Sequence, residues 1–135
     1  MAISFVKVKK NINFGSNPGE KFVARIFRNQ DISIERIATD ISESTTIGYP
    51  DVVACLKAME IQVSKHILNG SAVKFGYLGS FIPQIKAKSQ ESVDLVDAES
   101  IKRVSCRFLP SASFKHSLKK CSFKEADLNI KNLIK

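Results

Sequence analysis

The sequence predicts an α+β fold: a helical hairpin joined to an antiparallel β-sheet, with an extra β-hairpin at the N-terminus. Three observations carry this. Two early runs, ISFVKVKK (3–10) and KFVARIFR (21–28), are rich in β-branched and aromatic residues and partly alternate, as half-buried strands do. From about residue 34 to 69 apolar residues recur at helical spacing, broken once near Thr45–Asp51. Beyond them VKFGYLGSFIPQ (73–84) alternates again, yet carries two glycines three positions apart, although glycine weakens a strand interior.

The first two runs flank NINFGSNPGE, whose Asn17-Pro18-Gly19 is a turn signal. Residues 1–30 are therefore read as an N-terminal β-hairpin extension. One face of it, with Phe5, Val6, Val8, Phe22, Ala24 and Ile26, is expected to dock on other structure, because an isolated hairpin is marginal in water. Its Lys7, Lys9, Lys10, Arg25 and Arg28 are expected to widen a basic surface.

Asp31 and Ser33 both offer N-caps to IERIATDISEST, in which Ile34, Ile37, Ala38 and Ile41 follow helical spacing. The segment TTIGYPD (45–51) stops this helix and starts another. Pro50 suits a first turn, where its missing N–H is not needed, and Asp51 complements the helix dipole. The second helix runs from about Tyr49 to Asn69, roughly 30 Å at 1.5 Å per residue. Its apolar residues Val52, Val53, Leu56, Met59, Val63, Ile67 and Leu68 are widened by Cys55, Ala58 and Ile61. That face is broader than a one-sided surface helix needs. It fits a central core helix, and equally a helix buried between two copies of the chain.

Asn69-Gly70 is a stop signal. Gly76 and Gly79 then bracket Tyr77-Leu78, and a tight turn between two strands needs positive φ that glycine supplies without steric cost. The glycines join two strands, with Phe75 and Phe81 beside the bend as core. A phosphate-binding glycine loop is the rival reading, but the Lys-[Ser/Thr] of the Walker pattern is absent. An excursion, IKAKSQESVDLVDAESIK, follows, then a strand RVSCRFLP and a lysine-rich helix SASFKHSLKK. These elements make a domain of residues 31–121. Residues 122–135 are a C-terminal tail, read as a short amphipathic helix or as loose chain.

Charge is segregated along the 135 residues, whose net charge is +8. Residues 1–30 hold six Lys/Arg against one Glu, and 111–135 hold six Lys against two acidic residues. Residues 31–60 hold two basic against six acidic residues, so the helical part is the acidic part. A basic chain of this kind suits a polyanionic partner. The three cysteines, Cys55, Cys106 and Cys121, form no CxxC pair and suggest reduced thiols in the cytoplasm. No apolar run approaches a membrane span or a signal-peptide core.

Catalytic patterns are missing. His66 and His116 lie on different predicted helices, without a Cys, Asp or Glu at ligand or triad spacing. Glu91, Asp94, Asp97 and Glu99 lack the glycine of a calcium loop. We expect no enzyme, no cofactor, no metal, no small-molecule substrate and no membrane partner.

The order helix–turn–helix, strand, Gly76-Tyr-Leu-Gly-Ser-Phe81, strand, excursion, strand with Arg107-Phe108-Leu-Pro110, basic helix with Phe114, Lys115, Leu118, Lys119 and Lys120 is distinctive. Over about residues 33–121 it resembles the bacterial histone-like HU and integration host factor family of DNA-binding proteins. The N-terminal hairpin and short arm look like a divergent branch of that family described in Bacteroidetes-type bacteria. The resemblance implies a dimeric HU-like fold, here a homodimer, that binds double-stranded DNA through phosphates with low sequence specificity, with bending of the duplex. It implies a nucleoid-associated, chromosome-condensing role in the cytoplasm. In the family the sheet and last helix cradle phosphates, which carries over to Lys74, Lys86, Lys88, Lys102, Arg103, Arg107, Lys115, Lys119 and Lys120.

Departures from the family are equally plain. Family arms are long and basic and end in an Arg-Asn-Pro tip that wedges between base pairs. Here no arginine precedes Arg103 within the excursion, and no proline follows Pro83 until Pro110. The segment ESVDLVDAES is acidic and repelled by phosphate. The arm is expected to be short or folded back. The alternative reading is a dimeric structural or interaction module of HU-like fold that has lost strong DNA binding.

Overall fold

The computed structural model describes residues 1–127. In chain order they form β1 (Ala2–Ile12), β2 (Gly19–Ile26), α1 (Ile34–Ser44), α2 (Tyr49–Leu68), β3 (Val73–Lys74) and β4 (Gly79–Ala87). There follow two single 3-10 turns, Val93–Leu95 and Ala98–Ser100, then β5 (Ile101–Pro110), α3 (Ala112–Lys119) and β6 (Ser122–Glu125). The chain is a mixed α+β protein that divides into two compact units. One comprises Met1–Asp31 with the described residues from Leu118 on, and the other Ile32–Ser117.

The first unit is a three-stranded sheet of order β2-β1-β6. β1 and β2 pair antiparallel from Phe5↔Ile26 to Ile12↔Gly19. β6 pairs parallel with the start of β1, Ala2↔Ser122 to Phe5↔Glu125. Residues 122–125 are thus a strand, where the sequence suggested a helix or loose chain. Four residues carry too little periodicity to announce a strand, and the partner lies at the opposite end of the sequence. The rest of the predicted tail, residues 128–135, lies outside the described residues.

In the second unit, Ser33 caps α1 by accepting from the Arg36 N–H at 3.2 Å, satisfying one of the donors a helix start leaves open. α2 begins with Pro50 in its first turn and Asp51 beside it. α1 packs on α2, and Lys57 Nζ reaches the Glu35 carboxylate at 3.0 Å to strap the two together. The Glu35 carboxyl is held below the ordinary carboxylate value, first by a hydrogen bond to its own backbone and next by the Lys57 side chain. Lys57 is raised in turn, chiefly by the hydrogen bond to Glu35.

The broad apolar face of α2 splits in two. Val52 is buried, and Val53, Leu56, Val63 and Ile67 are half-buried on the side turned to the unit's own packing. Cys55, Ala58, Met59, Ile61 and Leu68 are exposed, Leu68 by 87%. Among the described residues only Ala38 and Val52 are buried apolar side chains.

The second sheet, of order β3-β4-β5, is antiparallel. Its apolar face carries Phe81 and Phe108, whose rings stack at a tilt with centroids 5.3 Å apart. Phe75 meets Phe81 edge-on at 5.5 Å. Further along, this face and the end of α2 line an apolar hollow of about 640 Å³, with Ile67, Leu68, Pro83, Ile85, Val104 and Cys106 around it.

Candidate nucleic-acid interface

The opposite face of that sheet is built by parity and register. Side chains alternate across a strand, and β4 pairs with β5 as Ile82↔Arg107, Gln84↔Ser105 and Lys86↔Arg103. Lys74 of β3 pairs with Ser80 of β4. Lys74, Lys86, Arg103 and Arg107 therefore share one face, with Ser80, Gln84 and Ser105 among them and no carboxylate. The four cations are exposed.

At the far end of the sheet the register shifts between Lys86 and Ala87, which leaves Lys102 as the extra residue of a bulge. Lys88 follows β4, and its backbone N–H donates to the Ser100 carbonyl at 2.8 Å. That bond closes the excursion at its base. Within the excursion the two 3-10 turns fold the chain back rather than extending a β-arm. Asp97 holds the second turn, its carboxylate accepting from the Ser100 N–H at 3.0 Å while Ser100 Oγ donates to the Asp97 carbonyl at 2.6 Å. Of the two arms the sequence allowed, short or folded back, the chain forms one that folds back.

The last helix is set in place by the glycine turn. Gly76 and Gly79 both have positive φ, +59° and +142°. Gly79 also lies against β5: a Cβ there would collide with the Leu109 carbonyl oxygen and come within 2.8 Å of the Pro110 Cα. No side chain fits. The turn that these glycines permit presents two carbonyls to the start of α3. The Leu78 carbonyl accepts from the Ser111 N–H at 3.0 Å, and the Tyr77 carbonyl accepts from Ser111 Oγ. Ser111 Oγ in turn accepts from the Phe114 N–H at 3.0 Å, capping the helix. The Tyr77 and Phe114 rings lie 6.0 Å apart.

On α3, Lys115 and Lys119 are four residues apart and so lie on one face. Lys120 follows the helix. Of the nine cations the sequence singled out, the structure gathers four on one sheet face and two on one helix face. It sets Lys88 and Lys102 at the base of the excursion. All nine are exposed, and none belongs to an ion pair among the described residues. Sequence reading missed Tyr77 as the residue that positions α3. The readable signal was Ser111, a good N-cap residue placed just before a helical pattern.

The cations of the first unit differ from expectation. Lys7 pairs with Glu125 at 3.1 Å, Lys9 with Glu20 at 2.5 Å and Arg28 with Asp31 at 3.6 Å. Three of the five residues expected to widen a basic surface are thus matched by carboxylates.

A family model described as an HU domain fused to wHTH, Ig, or glycine-rich motif (HU-HIG) matches residues 1–125. The chain belongs to the HU-HIG family. The HU-HIG match begins at Met1, just before β1, and ends at Glu125, the last residue of β6, so it takes in all three strands of that sheet. The chain is similar in fold to the crystal structure of a candidate bacterial DNA-binding protein from Bacteroides vulgatus ATCC 8482, with a TM-score of 0.65 at 13% identity. That likeness covers 92% of this HU-HIG chain and 47% of the other, so this chain spans about half the neighbour's length. No curated protein matches the chain.

Proposed function

We propose that this chain binds double-stranded DNA through its phosphates, as a homodimer, with little preference for sequence. The observation that carries the reading is the sheet face on which Lys74, Lys86, Arg103 and Arg107 stand exposed, without ion pairs among the described residues and without a carboxylate among them. Each cation that meets a phosphate releases condensed counterions, and this term acts on any sequence alike. Membership of an HU family, and a structural neighbour described as a candidate DNA-binding protein, support DNA as the partner.

The dimer is supported by what the second unit leaves uncovered. Ile61 is 56% and Leu68 87% exposed on α2, and the hollow beside Ile67 opens between this helix and the apolar sheet face. A second copy laid on these residues would remove them from water, at about 25 cal/mol for each Å² of apolar surface.

The family's proline wedge has no counterpart here. No proline lies between Pro83 and Pro110, and the excursion folds back. Bending would therefore rest on wrapping the duplex against the cations rather than on insertion between bases. The reading assigns the chain no catalytic step, and it places the protein in the nucleoid.

Titration of several unrelated duplexes of equal length tests it. Affinities within a few-fold of one another at one salt concentration support phosphate binding, and strong preference for one sequence argues against it.

A second reading, a dimeric interaction module that no longer binds DNA strongly, is favoured by the excursion. There Val93, Leu95 and Val96 are exposed beside Glu91, Asp94, Asp97 and Glu99. Absence of duplex binding by the folded protein would put that reading first.

A further inference from the structure

The first sheet separates its charges by face. In β1 the residues Ile3, Phe5, Lys7 and Lys9 point one way, and Ser4, Val6, Val8 and Lys10 the other. The strand registers extend these two sets across the sheet. Both carboxylates of the three strands, Glu20 and Glu125, fall on the first face, where they neutralise Lys9 and Lys7. Phe22, Ile26 and Phe123 stand on that same face.

The second face has a different character. Lys21 lies opposite Lys10, Arg25 opposite Val6, and Lys124 opposite Ser4. These four cations have no ion pair among the described residues. Lys10 and Lys21 are direct cross-strand partners, whose Cβ atoms lie about 4.5–5.5 Å apart in such a pair, and like charges in that relation destabilise a sheet. Burial does not explain the arrangement, since Lys10 is exposed and Lys21 only partly covered. A polyanion laid on this face would relieve the repulsion that the fold tolerates.

We propose that the Lys10, Lys21, Arg25 and Lys124 face of the first sheet is a second phosphate-contacting surface for duplex DNA. It rests on the reading that the chain binds DNA, but uses none of the residues that carried that reading. From the Lys10 row to the Ser4 row the face runs six residues along β1, about 20 Å at ~3.4 Å per residue. That matches a tract of about six base pairs at ~3.4 Å per phosphate along one strand. The side chains between the cations are Val6, Val8 and Val23, which offer no ring for a splayed base to stack on. Single-stranded nucleic acid is held by such stacking, so the face fits the outside of a duplex. A membrane surface fits it less well, because the aromatic residues that would enter lipid are on the other side of the sheet.

The test compares three proteins in duplex binding over a salt series: the natural chain, the variant Lys10→Ala/Lys21→Ala/Arg25→Ala/Lys124→Ala, and the variant Lys86→Ala/Arg103→Ala/Arg107→Ala. Removing four phosphate contacts should make the log–log salt slope shallower by about 3.6, at ~0.9 per contact. The single change Lys10→Glu supplies a test that does not depend on the fourfold variant folding. It places a carboxylate opposite Lys21, so the melting temperature should rise while duplex affinity falls. A purely structural role would move both the same way. An unchanged slope in the folded fourfold variant, or unchanged affinity for Lys10→Glu, overturns the proposal. If the slope flattens only for the Lys86/Arg103/Arg107 variant, this inference fails and the earlier reading stands. If it flattens only for the fourfold variant, this face stands and the earlier site fails. Loss of binding to phosphatidylserine vesicles with duplex binding intact would make the surface a lipid contact and overturn the proposal.

Discussion

Tyr77 holds α3 at both ends: its carbonyl accepts from Ser111 Oγ, and its hydroxyl hydrogen-bonds Ser117 Oγ at 2.6 Å. One turn residue thereby fixes where Lys115 is presented. Tyr77→Phe removes the hydroxyl contact and keeps the ring against Phe114. We expect a loss of about 0.5–1.5 kcal/mol, nearer the lower figure because Tyr77 is largely exposed. Denaturant unfolding measures it. A loss of duplex affinity larger than the loss of stability would show that helix position itself matters for binding.

The proposed dimerisation through α2 makes a prediction that separates the interface from the core. Ile61→Asp and Leu68→Asp introduce a charge on exposed positions, which a monomer tolerates and a dimer buries unpaired. Sedimentation should show a folded monomer for these variants. Leu56→Asp, at a half-buried position, should cost stability outright, by roughly 3 kcal/mol or more. A natural protein that sediments as a stable monomer would remove the interface.

Repulsion at the excursion is testable with two carboxylates. Asp94→Asn with Glu99→Gln removes negative charge without touching the Asp97 carboxylate that caps Ser100. Duplex affinity should rise, and more at low salt than at high, since screening weakens the repulsion. Fluorescence anisotropy with labelled duplex checks both. Asp97→Ala, in contrast, should loosen the excursion as well.

The strap between α1 and α2 depends on pH with a definite sign. Glu35 is shifted down, so its contribution is present above the ordinary carboxylate range and is lost as pH falls through the lowered value. Lys57 is shifted up, so its contribution is present at neutral pH and is lost as pH rises through the raised value. Melting curves of Glu35→Gln against the natural chain should differ at neutral pH and converge in acid. Both groups are exposed, so the difference should be small.

The helices were legible because their signals are local. Ser33 and Pro50-Asp51 each satisfy the needs of a helix start from within one turn, and α1 and α2 begin where those residues stand. Gly76 and Gly79 were legible as a turn for the same reason. Register was not. Lys7 and Lys9 were expected to widen a basic surface, but β6, remote in sequence, and β2, across the hairpin, bring Glu125 and Glu20 beside them. A slip of one residue in those pairings would send each lysine to the other face. The Lys86↔Arg103 pairing likewise spans an excursion and a bulge at Lys102, which periodicity cannot count. The cations were therefore readable as a set, and their division between faces was not.

The sheet face bearing Lys86, Arg103 and Arg107 is proposed to meet phosphate, and the salt dependence of duplex binding is the decisive measurement. Replacing all three with alanine should make the log–log slope shallower by about 2.7, at ~0.9 per contact, and weaken unrelated duplex sequences alike. An unchanged slope in the folded triple variant would contradict the account.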